Sequence, residues 1–119
     1  MAYNEYLTDR VRQFFVEKGS SFYEKKMMGG LIFMVNDKMC VGVDIDRKLA
    51  VDRLMIRVGP DAYEEALQME GARNMDFTGK PMKGFVFVGP DGFDTDKDLE
   101  KWLNMGLAYN PFAKSSKRK

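Results

Sequence analysis

The sequence predicts an α+β fold. It reads as a two-layer sandwich in which a mainly antiparallel sheet of about five to six strands is packed by three helices. Three observations carry this reading. Segments with helical spacing of apolar residues stand near both ends and once in the middle. Between them lie short runs rich in β-branched and aromatic residues. The turns joining most of these runs are too short for a crossover, so the strands they join are antiparallel. With 119 residues, 45% hydrophobic and 31% charged, the chain is the size of one ordinary domain with one core. Residues 1–113 are read as that domain and 114–119 as a basic disordered tail.

The first helix is expected from about Asn4 to Lys18, where Leu7, Val11, Phe14 and Phe15 recur on one face and Lys18-Gly19 supplies a stop. Strands follow at Phe22 to Met27, Leu31 to Val35 and Lys38 to Ile45. Asn36-Asp37 makes a tight turn between the last two, since both residues tolerate positive φ. Asp46 to Asp52 reads as a longer hairpin connection. The fourth strand, Arg53 to Val58, alternates cleanly, with Leu54, Ile56 and Val58 on one side and Arg53, Met55 and Arg57 on the other. Gly59-Pro60-Asp61 is expected to open a second helix with proline at its first position. Gly71 to Gly84 is a long segment with little periodicity, part of which can pair as a short strand. Phe85 to Val88 is a strand, and Thr95 with Asp98 caps a last helix whose stripe is Leu99, Trp102, Leu103, Gly106 and Leu107. One apolar sheet face, turned to the helices, suffices for such a sandwich.

Composition removes several classes of function. There is no histidine, which excludes Ser-His and Cys-His catalysis, His metal ligands and a His pH switch. The single cysteine, Cys40, allows no internal disulfide, sits mid-strand and reads as a small core hydrophobe. No apolar run approaches the ~18 residues of a membrane span, and the N-terminus has no secretory pattern, so a cytoplasmic protein is expected. Four of the 19 basic residues lie in the tail, which leaves 15 against 18 acidic ones and a body of net −3. That balance argues against a large nucleic-acid footprint. Asp44, Asp46 and Asp52 lack the spacing of a cation loop and read as turn residues. The glycines match no phosphate-binding loop. Of the ten methionines, most read as core filling, with Met75 and Met82 set apart in the long loop. No catalytic residue, metal ligand or cofactor is assigned.

Three strings carry a family resemblance: Lys25-Lys26-Met27-Met28-Gly29-Gly30-Leu31-Ile32-Phe33, Arg53-Leu54-Met55-Ile56-Arg57-Val58-Gly59-Pro60, and, most specific, Met75-Asp76-Phe77-Thr78-Gly79-Lys80-Pro81-Met82-Lys83-Gly84-Phe85-Val86. With Trp102 they make the chain, up to about Phe112, resemble the TfoX N-terminal domain family. The resemblance implies an α+β fold similar to secretion-chaperone and YgaC-like domains. It also implies a link to bacterial competence and transcription regulation, since the family takes its name from a competence regulator that works with the cyclic-AMP receptor protein. That regulator has a second, C-terminal domain, and this chain resembles only its first. The stretch from Asp44 to Asp52 looks longer than in typical members.

Lys26, Arg57, Phe77, Lys80 and Lys83 lie inside or beside these strings and form the candidate partner- or anion-binding set. Arg57 precedes a helix opening, where backbone N–H groups can help hold an anion. The leading expectation is a regulatory protein–protein interaction module, not an enzyme, with a protein partner. The alternative is a nucleic-acid-binding accessory protein, and the least favoured is a small enzyme of Lys, Arg, carboxylate or Tyr chemistry. A homodimer is open, because an antiparallel sheet has edges to cover; a membrane partner is not expected.

Overall fold

The computed structural model of the chain describes residues 3–27, 29–75 and 82–113. Helix α1 (Glu5–Glu17) is followed by four strands, β1 (Phe22–Met27), β2 (Gly30–Val35), β3 (Lys38–Asp46) and β4 (Val51–Arg57). Then come α2 (Tyr63–Leu67), β5 (Ala72–Asn74), β6 (Phe85–Val88) and α3 (Asp96–Tyr109). Single 3₁₀ turns lie at Pro90–Gly92 and Asn110–Phe112. The six strands form one open sheet in the order β1-β2-β3-β4-β6-β5, and every pairing is antiparallel.

Local chemistry sets the boundaries. Asn4 caps α1 by accepting the Leu7 N–H at 3.1 Å, and Thr95 caps α3 by accepting from the Asp98 N–H at 3.1 Å. Gly19, in the left-handed region at φ 69°, ends α1. Asn36 and Asp37 both take positive φ, 55° and 62°, which is the twist a two-residue hairpin turn requires.

Two boundaries differ from the sequence reading. The helix expected at Pro60 starts at Tyr63, after a turn, and has only five residues. It is therefore too short and too far from Arg57 to offer an anion a helix terminus. The connection expected over Asp46 to Asp52 is only residues 47–50. Asp46 folds it tightly: its Oδ1 accepts the N–H of Lys48 at 3.0 Å and of Leu49 at 3.2 Å, and its carbonyl accepts from Ala50 at 2.7 Å. A side chain that mimics a backbone turn lets both strands run to the edge of the hairpin.

The helix-side core gathers Val11 and Phe15 of α1, Phe33, Val41, Leu54, Ile56 and Val88 of the sheet, and Trp102 and Leu103 of α3. Phe15 stacks on Phe33 with ring centroids 5.6 Å apart. A bulge in β3 opposite Phe33 and Met34 breaks the alternation, so Cys40 and Val41 both join this core. Helix α3 crosses closely at Gly106, where an added Cβ would stand 3.3 Å from the Cys40 Sγ.

The opposite sheet face is also apolar, against the one-face expectation. Ile32, Met34, Met55, Met75 and Phe87 form a second buried cluster, with Met27, Met39 and Phe85 packed against it. This explains why the run Leu31 to Val35 is apolar without alternation: it is covered on both sides. Met75, set apart as a loop methionine, is 1% exposed and belongs to this cluster; Met82 is 37% exposed.

Candidate functional site

Of the five residues singled out in the sequence, Lys26, Arg57 and Lys83 are among those described, and these three do not share one face. Lys26 pairs with Leu31, which belongs to the helix-side core, so Lys26 lies on the helix face of β1 at the sheet edge. Arg57 pairs with Phe85 and stands over its ring at 5.1 Å, on the outer face. Three strand spacings, about 14 Å, separate β1 from β4. Lys26 and Arg57 therefore occupy different faces. Phe77 and Lys80 lie outside the described residues, as does the basic tail.

Arg57 and Lys83 do share one end of the sheet. There Val58 and Gly59 both donate their N–H to the Gly84 carbonyl, at 2.9 and 3.0 Å, which ties the end of β4 to the start of β6. Immediately beside it the Met82 N–H donates to the Met75 carbonyl at 2.8 Å, and the Phe85 N–H donates to Met82 at 3.1 Å. Met75 and Met82 thus form a closed neck at the two ends of residues 76–81. One side of the neck is anchored in the outer apolar cluster through Met75. The other side presents Met82 and the exposed Lys83. The half-buried Arg57 and Phe85 complete a surface that is cationic, aromatic and thioether-bearing. Such a surface suits contact with another macromolecule.

The other end of β4 holds a polar network that sequence reading missed. Arg53 grips Asp44 with two bonds, Nε to Oδ1 at 2.9 Å and a second terminal nitrogen to Oδ2 at 2.7 Å. Its guanidinium lies 3.7 Å from the centre of the Phe87 ring and 3.7 Å from Asp46 Oδ2. Arg73 of β5 donates to the same Asp46 oxygen. Asp46 is buried, and the Arg73 hydrogen bond, with help from the Lys48 and Leu49 N–H groups and the charge of Arg53, holds its carboxyl below the usual carboxylate range despite burial. Asp44 and Asp46 were expected to be turn residues. Asp46 does close the turn at 47–50, but both lie in β3 and also fix two arginines, and Asp52 accepts a hydrogen bond from the Asn4 side chain at 3.0 Å. The signal was the register: with a four-residue turn at 47–50, Asp44 falls opposite Arg53. Beside this network lies a cleft of about 550 Å³, walled by Leu49, Val51, Arg53, Arg73 and Pro90 over Asp46.

Cys40 is not a reactive group here. Burial pushes its thiol up to about 12, and the positive charge of Arg57 pulls it down only weakly. The native protein is expected to leave an aromatic disulfide reagent unreacted at pH 8 over minutes, with one equivalent of thiol released on addition of denaturant. Rapid native labelling would contradict this placement. Among the described residues no group of three His, Cys, Asp or Glu side chains could hold a metal ion, and no helix is long and apolar enough to cross a membrane.

Comparison with known proteins bears on the whole of this architecture. No curated protein matches the chain. The sequence profile of the TfoX N-terminal domain matches residues 15–109. That span runs from Phe15 in the core through the neck at Met75 and Met82 to the last turn of α3, and the chain belongs to the TfoX N-terminal domain family.

Proposed function

We propose that this domain is a non-catalytic, regulatory protein–protein interaction module of the cytosol, acting in control of transcription of the competence-regulator kind. Its partner surface is the neck end of the sheet. The observation that supports this most is the closed neck: the Met82 N–H to Met75 carbonyl bond, with Met75 buried in the outer cluster. It fixes Met75 and Met82, two described residues of the most family-specific string, on the sheet beside Arg57 and Lys83. The acidic body of net −3 favours a protein over a nucleic-acid partner, because phosphate binding needs a basic footprint.

A tagged pull-down from lysate of the source cells, with and without nuclease, tests this reading. The wild-type chain is expected to retain a discrete protein after nuclease treatment. The double substitution Arg57→Ala/Lys83→Ala is expected to reduce its recovery at least about tenfold with unchanged thermal stability, as central interface positions do. Equal recovery with the double variant would contradict the placement of the surface, and recovery abolished by nuclease would favour the nucleic-acid reading.

A further inference from the structure

The cleft at the far end of β4 is separate from the neck. It lies at the Val51 end of the strand, about 20 Å from Arg57 by the rise of an extended strand. Strand β6 stops at Val88, opposite Leu54, so among the described residues Val51, Asp52 and Arg53 pair with β3 alone and have no strand on their other side. The chain turns away there through Gly89 and Pro90, and the Gly89 N–H bonds the Gly71 carbonyl at 2.9 Å. What remains is an open slot of about 550 Å³, within the size range of small-ligand sites.

The slot has one feature that points to a ligand. Arg73 is 48% exposed in its side chain, and Asp46 fixes one of its terminal nitrogens. Its other N–H groups meet no acceptor among the described residues. Arg53, by contrast, is engaged by Asp44, Asp46 and the Phe87 ring. Asp46 in turn is occupied by both arginines and two backbone N–H groups. Arg73 is therefore a pre-positioned fork with spare donors, the geometry that takes a carboxylate bidentately. The walls around it are apolar: Leu49, itself 58% exposed, with Val51, Ala72 and Pro90. Asp52 and Asp91 also line the slot. Their charges oppose a second negative charge on the ligand more than a first, so a monoanion is favoured over phosphates and dicarboxylates.

We infer that this cleft binds a monocarboxylate attached to a branched apolar group, with the carboxylate on Arg73 and the apolar group against Leu49, Val51 and Pro90. Two sources share that chemistry: a free branched-chain acid, and a peptide C-terminus whose amide also meets the open edge of β4. The site is independent of the neck surface, so loss of either leaves the other intact.

Titration of the full chain, followed by ¹H–¹⁵N NMR, tests it with three probes, N-acetyl-leucine, N-acetyl-leucinamide and 4-methylpentanoate, and two controls, succinate and inorganic phosphate. N-acetyl-leucine is expected to produce saturable shifts at the Arg73 Nε–H and at the Leu49 and Val51 amides. The neutral amide is expected to bind at least tenfold more weakly, and succinate and inorganic phosphate to leave these signals in place. Arg73→Gln is expected to raise Kd at least tenfold, and Leu49→Ser, at an exposed turn position where folding is not at stake, severalfold. Equal binding of N-acetyl-leucine and 4-methylpentanoate assigns the free acid, and preference for the former assigns the peptide terminus. Absence of saturable shifts with both acids, equal binding of the amide, or unchanged Kd in Arg73→Gln overturns the site.

Discussion

Replacing Trp102 with alanine is expected to lower the stability of the domain by about 3–5 kcal/mol, the range for deleting a fully buried large aromatic. Trp102 is 1% exposed and is the largest fully buried side chain of the domain. It stands on α3, the helix that packs across β3 and β4, and Gly106 brings that helix within van der Waals contact of Cys40 and Ile56. The close approach leaves neighbouring side chains little freedom to collapse into the space an alanine would vacate. A small domain has only about 5–15 kcal/mol in total, so the variant is expected to be marginal, with Tm lower by roughly 15–25 °C. Chemical denaturation read by far-UV circular dichroism checks this. Trp102→Phe, which keeps most of the volume, is expected to lose less than half as much. Equal losses for the two variants would mean that an indole-specific contact, and not volume, holds α3.

Asp46→Ala is expected to destabilise the fold by about 3 kcal/mol or more, because it strips a buried carboxylate from two arginines and from two backbone N–H groups at once. Asp46→Asn keeps an oxygen for the turn but loses the charge and the Oδ2 acceptor that faces both arginines, so its loss is expected to be smaller than that of alanine, about 1–2 kcal/mol. The pH dependence separates the two contributions. The carboxyl of Asp46 sits below its ordinary value in the folded state, chiefly through the Arg73 hydrogen bond. Its ionic contribution is therefore present above the unfolded value of about 3.9 and is lost as pH falls below that and through the folded value. Wild-type stability minus that of Asp46→Asn is expected to be constant from pH 7 to about pH 5 and to shrink towards pH 3. A difference that grows on acidification would contradict the network. The same substitutions free Arg73, so they are also expected to loosen the cleft.

The strands and helices were legible because each has a local cause. Asn4 and Thr95 are capping residues followed by apolar stripes, and Asn36-Asp37 admits the positive φ of a hairpin. The shortened connection was not legible, because the polar string from Asp46 to Asp52 resembles a loop until Asp46 is seen folding back on Lys48 and Leu49. That single misplacement hid the Asp44–Arg53 pair, since cross-strand partners follow from turn length. The second apolar face was partly written in the unbroken run from Leu31 to Val35, but the burial of Met75 depends on tertiary contacts that spacing does not encode. Of the candidate site, Arg57 and Lys83 share the neck end of the sheet as a linear string can suggest, whereas Lys26 stands on the helix face. Strand parity decides that separation, and it becomes readable only once the register of β1 against β2 is known.

The central claim is that the neck end of the sheet meets a protein. Site-specific photocrosslinking tests it most directly, with benzoylphenylalanine placed at Lys83 in one sample and at Lys26, on the helix face, in another. Irradiation in source-cell lysate is expected to give one discrete, nuclease-insensitive protein adduct from position 83 and none of that mass from position 26. The same adduct from both positions, or no protein adduct from position 83, would contradict the account.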